Sequence, residues 1–174
     1  AAAAAAPAAA AGLADATEGA TLGDVLVQRL DEAAMAMTPL RPLGGAGIMA
    51  VLTHAWPLWG RAMALAHGIE ALLPPLCALG KASIAGARND FAPLLPSTLS
   101  TLTAAFAHST QPSLIGLADE LFCVFCDAPG ADSSFASMLD QLAEPALARL
   151  TAASTPLDHP DLLCAILTIA TKIA

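Results

Sequence analysis

Residues 91–125, FAPLLPSTLSTLTAAFAHSTQPSLIGLADELFCVF, contain two helices and the turn between them. Phe91, Leu94, Leu95, Leu99, Leu102 and Phe106 recur at helical spacing and share one face. Leu114, Ile115, Leu117, Leu121, Phe122, Val124 and Phe125 make a second, broader stripe, and breadth predicts deeper enclosure. Pro93, Pro96 and Pro112 punctuate the stretch, because proline lacks the backbone donor that a helix interior needs and is tolerated only in its first turn.

The same unit appears on both sides. First stripes open near Ile48, Phe91 and Phe135, which are 43 and 44 residues apart, and each is followed by a second stripe near Ile69, Pro112 or Pro160. A repeat of ~40–47 residues holding two helices is the signature of HEAT-like arrays. Each pair is too small to bury its own apolar face, so pairs stack into a solenoid with a long binding surface. The first pair spans Ile48–Leu65 and Ile69–Ala85, with a kink expected at Pro57 and a break at Pro74-Pro75. The third takes Phe135, Met138, Leu139, Leu142, Leu147 and Leu150, then Leu162, Leu163, Ile166, Leu167, Ile169 and Ile173. Upstream, Leu22–Met37 is a further amphipathic helix, joined to the first pair by a Gly- and Pro-containing link at Leu40–Gly47. Turns fall at Asp127–Gly130 and Ser154–His159. The fold expected is all-α, a HEAT-repeat α-solenoid of about three helix pairs plus one upstream helix. It occupies residues 21–174, after an Ala-rich low-complexity segment at 1–20 in which Pro7 argues against one unbroken helix. Starting at Ala1 and stopping at Ala174 inside a helical run, the chain reads as a piece of a longer array.

Composition agrees. Aromatic residues are 4% and Tyr is absent, which starves a sheet of its usual filling, whereas Ala and Leu favour helix. The formal net charge is −8, and the seven Lys and Arg are scattered, so no footprint for a phosphate backbone exists and direct nucleic-acid binding is not expected. Residues 91–118 lack Asp, Glu, Lys and Arg, yet their Ser, Thr, His and Gln content and three prolines exclude a membrane span. Ala1–Gly12 has no positive n-region and is not a secretion signal. Cys77, Cys123, Cys126 and Cys164 all lie within apolar stripes and are expected as buried, reduced thiols.

Isolated motifs read as structure. Cys123 and Cys126 form one Cys-x-x-Cys without the second pair that zinc requires, and Phe122, Val124 and Phe125 mark that segment as helix interior. His159-Pro160-Asp161 opens a helix: Asp158 or His159 caps it, Pro160 takes the first position, and Asp161 meets the positive dipole end. Asp31 with Glu32, and Asp119 with Glu120, are sequence neighbours pointing ~100° apart, which is wrong for a general acid and base on one substrate. His54, His67 and His108 stand at helix ends or on mixed faces. No catalytic, cofactor-binding or metal-binding residue is identified, no cofactor is implied, and the chain is expected not to be an enzyme.

The order of segments carries a resemblance. Ala55-Trp56-Pro57-Leu58-Trp59, Phe91-Ala92-Pro93-Leu94-Leu95, Asp119-Glu120-Leu121-Phe122 and Leu157-Asp158-His159-Pro160-Asp161-Leu162-Leu163, preceded by Met37-Thr38-Pro39, resemble the later HEAT repeats of the importin-β superfamily, of the transportin-SR type. The likeness covers about residues 22–174. It implies a nucleocytoplasmic transport receptor that shuttles between nucleus and cytoplasm and holds protein cargo on its inner surface. Cargo is exchanged in response to the small GTPase Ran, which other parts of such a receptor grip. The animal receptors of this type read phosphorylated Arg-Ser cargo with an arginine-rich helix; the corresponding segment here, Ile69–Gly86, offers only Lys81, with Arg88 just beyond. Bidentate phosphate recognition wants clustered Arg, so no cargo-binding residue is carried over. A different HEAT or armadillo scaffold or adaptor is the alternative.

Overall fold

The computed structural model describes residues 21–37, 44–127, 131–152 and 158–173. Among them are seven α-helices and no strand: α1 (Leu22–Met37), α2 (Gly44–Leu65), α3 (Leu73–Ala87), α4 (Leu95–His108), α5 (Pro112–Phe125), α6 (Ala131–Ala152) and α7 (Pro160–Ile173). Short 3-10 turns occupy Ala66–Gly68, Glu70–Leu72 and Arg88–Leu94. The all-α expectation holds. The 1–20 segment, residues 40–43 of the expected link, and residues 128–130 and 154–157 of the turns expected at Asp127–Gly130 and Ser154–His159 lie outside the described residues.

Alternate helices are neighbours. α1, α3, α5 and α7 pack on one another in that order, α2, α4 and α6 do likewise, and α2 also lies along α3. The result is two layers sharing one core. Neither end helix, α1 or α7, packs substantially on the other.

Three local readings are corrected. Gly44–Gly47 is not a link but the first turn of α2. The glycine has a steric reason, since a Cβ at Gly45 would overlap the Asp90 carboxylate and stand 2.9 Å from the Ala87 carbonyl oxygen. The helix start is wedged into the corner where α3 ends, and the same corner forces Arg88 to a positive φ of 49°. Pro74-Pro75 does not break a helix either. The two prolines occupy the first turn of α3, after Glu70–Leu72 has made one turn of 3-10 helix, so neither missing donor is needed. Phe91 lies in the 3-10 turn before α4, not in the α-helix itself. Pro57 and Pro145 are both inside their helices, α2 and α6.

At the N-terminal end, Thr21 and Asp24 form a reciprocal cap. The Thr21 backbone N–H and hydroxyl donate to Asp24 Oδ2 at 2.9 and 2.8 Å, and the Asp24 N–H donates to Thr21 Oγ1 at 3.2 Å. These bonds hold the Asp24 carboxyl below the usual carboxylate range.

Aromatic rings tie the layers together. Trp56 and Trp59 stack with centroids 4.4 Å apart, Phe91 meets Trp56 edge-on at 4.9 Å, and Phe91 stands 6.3 Å from Phe125 of α5. Both indoles are buried and both N–H groups are satisfied. Trp56 Nε1 donates to Thr98 Oγ1 at 2.9 Å, and Thr98 donates on to the Leu94 carbonyl at 2.7 Å. Trp59 Nε1 donates to the Leu76 carbonyl at 3.0 Å. Gly80 makes room for Leu117 of α5: a Cβ there would lie 3.1 Å from Leu117 Cδ1, and at an ordinary contact distance of 3.5 Å from Trp59 Cζ2.

Replacing Trp59 with Phe keeps one aromatic ring at this site but deletes the donor and part of the buried indole volume, and is expected to lower stability by about 1–3 kcal/mol. Trp59→Ala also empties the space between α2 and α3 and should cost roughly 3–5 kcal/mol. Urea unfolding followed by circular dichroism measures both.

Candidate functional site

The first candidate surface is the outward face of α5. Burial of Leu114, Leu117, Ala118, Leu121 and Phe125 sets the inward side of this helix, which leaves Gly116, Asp119, Glu120 and Cys123, spaced i, i+3, i+4 and i+7, on the other. Residues from the flanking helices reach over this face. Lys81 of α3 crosses at Gly116, where its Nζ lies 2.5 Å from the place a Cβ would take. From α7, Lys172 Nζ donates to Asp119 Oδ1 and Oδ2 at 2.6 and 2.7 Å and to Cys123 Sγ at 3.2 Å. A polar ribbon thus crosses α3, α5 and α7.

The Asp119 carboxylate, and after it the Cys123 sulfur, raise the Lys172 ammonium above its ordinary value. This pair is partly open to water, with 38% of the lysine and 25% of the aspartate side chain exposed, so its energetic weight is that of a surface ion pair. The sequence reading treated Asp119 and Glu120 as carboxylates pointing apart; both lie on the outward side of α5, and the partner of Asp119 is Lys172. The sequence alone had no means of showing a partner 53 residues away.

The cysteines need correction. Only Cys77 is buried; Cys126 is half-buried, and Cys123 and Cys164 are exposed. Phe122 and Val124, which flank Cys123 in sequence, are themselves only half-buried, because the core face of α5 is fixed by Leu121 and Phe125. Burial pushes the Cys77 thiol up to about 11, while the Ser113 hydroxyl and the Lys81 charge work the other way. Among the described residues, no group of three or more His, Cys, Asp or Glu could hold a metal ion, and no helix is long and apolar enough to cross a membrane. His54 is exposed, as is His108, whose Nδ1 lies 2.8 Å from the Ala104 carbonyl at the end of α4. The side chain of His67 lies outside the described residues.

The second candidate is apolar. α6 and α7, expected from the sequence to pack as a pair, share few direct contacts, and between them opens a cleft of about 410 Å³. Leu139, Leu142 and Ala143 line one wall, Ile166, Ile169 and Ala170 the other, and Ile115 of α5 contributes from below. A concave apolar slot of this size has room for large apolar side chains. The periodic stripes included its Leu and Ile residues but not Ala143 or Ala170, and gave no sign that the two helices stand apart. A third, polar notch of about 260 Å³ joins Glu70, Gln111, Arg149 and Asp161 at the helix ends, with Gln111 Nε2 donating to Glu70 Oε2 at 3.5 Å.

Near neutral pH, iodoacetamide should modify Cys123 and Cys164 well before Cys77, as read by mass spectrometry of peptides. The folded thiol of Cys77 is raised from 9.0 to about 11, so the stability it contributes is complete below pH 9 and is lost as the pH rises towards 11. Cys77→Ala should flatten the pH dependence of the thermal midpoint in that window. No protein-family model, curated protein or solved structure matches the chain, so its role must be read from its own residues.

Proposed function

We propose that this chain is a protein-binding stretch of a HEAT-type α-solenoid belonging to a nucleocytoplasmic transport receptor. It binds cargo through surface shape and acidic charge and performs no catalysis. The observation that carries the reading is the alternate stacking of α1, α3, α5 and α7 against α2, α4 and α6. Paired helices added one after another in two layers build an extended surface, which suits wrapping a partner better than enclosing a small substrate. The order of the segments around Trp56, Phe91, Asp119 and His159 is what favours transport over another scaffold. The apolar cleft between α6 and α7 supplies anchoring space, and the exposed acidic residues nearby, Asp140 and Glu144 of α6, favour basic cargo.

The test uses the protein expressed from its full open reading frame, bound to its cargo on a solid support. Ran loaded with a non-hydrolysable GTP analogue is expected to release the cargo, and Ran loaded with GDP is not. Cargo retention that ignores the nucleotide would overturn the transport reading in favour of a scaffold or adaptor.

A further inference from the structure

Two side chains of α5 and one of α7 meet on the outward face of α5. Lys172 Nζ donates to both oxygens of the Asp119 carboxylate, at 2.6 and 2.7 Å, and to Cys123 Sγ at 3.2 Å. The ion pair accounts for Lys172 and Asp119 as structure. It does not account for the sulfur, which is a weak acceptor in the thiol form and is itself exposed.

Cys123 differs in this from the other three cysteines. Cys77 is buried, and Cys164 is exposed but, among the described residues, has no amine or guanidinium donating to its sulfur. Cys126 is half-buried at the end of α5 and is badly placed to pair with Cys123. Residues three apart on a helix have Cβ atoms about 5–6 Å apart, whereas a disulfide takes about 3.5–4.5 Å. The group held against Cys123 Sγ is an amine from another helix.

We infer that Cys123 and Lys172 form an oxidative modification site, at which a hydroperoxide oxidises the thiol and the lysine amine then closes a sulfur–nitrogen bond between α5 and α7. In the first step the Cys123 sulfur, as the thiolate, attacks one peroxide oxygen. The O–O bond breaks, the sulfur is oxidised to a sulfenic acid, and the second oxygen takes up the thiol proton and leaves reduced, as water when the oxidant is hydrogen peroxide. In the second step Lys172 Nζ attacks the same sulfur. The S–N bond forms, the S–O bond breaks, and the hydroxyl leaves as water. One thiol, one amine and one hydrogen peroxide thus give one sulfenamide and two waters. The ammonium must first lose a proton, and the Asp119 carboxylate, already bonded to that nitrogen, passes it to solvent.

Proximity favours this route over further oxidation. An amine held 3.2 Å from the sulfur competes as a neighbour, while a second peroxide must arrive from solution. The two residues are 49 apart in sequence, so the link closes a long loop and restricts the unfolded chain, as a disulfide of that span does. It also fixes α7, which supplies Ile166, Ile169 and Ala170 to the apolar cleft, on α5, which supplies Ile115. Oxidation stiffens one wall of the cleft without occupying it. The inference stands on the contact between α5 and α7 and is independent of the transport reading.

Hydrogen peroxide in modest excess over the whole chain, followed by peptide mass mapping, tests this. The Cys123 and Lys172 peptides are expected as one linked species, lighter by two hydrogens than the separate peptides together and released by a thiol reductant. Lys172→Arg keeps a cation beside Asp119 but no primary amine; it should give no link and leave Cys123 as a sulfenic acid that dimedone traps. Cys123→Ser should give neither product. In a thermal scan followed by circular dichroism, oxidised wild type should melt several degrees above the reduced protein, and oxidised Lys172→Arg should not. The melt of each variant before oxidation reports its folding; if Lys172→Arg is unfolded, Lys172→Gln replaces it. A disulfide between Cys123 and Cys126 would overturn the inference. So would dimedone trapping of wild-type Cys123 to the same extent as in Lys172→Arg, or a Cys123 left unmodified by peroxide that oxidises Cys164.

Discussion

Two buried indole N–H groups constrain where α2 can lie. An unpaired buried donor costs a few kcal/mol, so Trp56 and Trp59 need acceptors, and they find them in different helices. Thr98 of α4 accepts from one, and the Leu76 carbonyl of α3 accepts from the other. Because the rings stack at 4.4 Å, the two acceptors must also stand in a fixed relation to each other. The consequence is a locked triangle of α2, α3 and α4, with one corner in one layer and two in the other. Phe91 extends it to α5, and Phe122 continues to α6 through an edge-on contact with Phe135 at 5.5 Å.

Helices stacked in alternate order follow from this geometry without any closing contact. Each helix packs on the neighbours two places away, with α2 on α3 and α4 on α5 added as direct contacts, and the connections need only be short. Polar groups are left to the outside of each layer, which is how Lys81, Asp119, Cys123 and Lys172, from three separate helices, come to share one ribbon. Such a surface is assembled by the register of the stack. A shift of α7 by one turn along α5 would separate Lys172 from Asp119 while leaving much of the apolar contact available, so the ion pair reports register more than it supplies energy.

Most helices were legible because periodicity and proline spoke together. Pro112 and Pro160 open α5 and α7 where the sequence places them, and the stripes at Leu99, Leu102, Phe106, Leu114, Leu117 and Leu121 are buried. Where the reading failed, a composition rule stood in for geometry. Glycines at 44, 45 and 47 resemble a link, yet Gly45 is needed because a helix start is pressed against Asp90 and Ala87, a contact distant in sequence. Pro74-Pro75 looked like a break because the preceding 3-10 turn, which makes those prolines the first residues of α3, leaves no periodic trace. Cys123 was assigned to the core from its neighbours Phe122 and Val124, but the side a residue takes depends on the whole stripe, and Leu121 and Phe125 fix that stripe. The polar ribbon was illegible for the reason that its contacts between helices join residues 35, 49 and 53 apart in sequence, brought together only by stacking.

The layers are not equally tight along their length, and side-chain volume explains the gradient. Around α2 and α3 the gaps between helices are filled by indole and phenyl rings, with Gly80 and Gly86 permitting close approach. Around α6 and α7 the facing positions are Ala143 and Ala170, while Leu139, Leu142, Ile166 and Ile169 hold the walls apart, so a cleft of about 410 Å³ stays open. Fewer buried contacts mean a smaller free energy of local opening, and helices held that way can adjust to what enters between them. That division suits the protein-binding role proposed above. The ring-filled end fixes the stack, and the end lined by Ala143 and Ala170 leaves adaptable apolar space between α6 and α7.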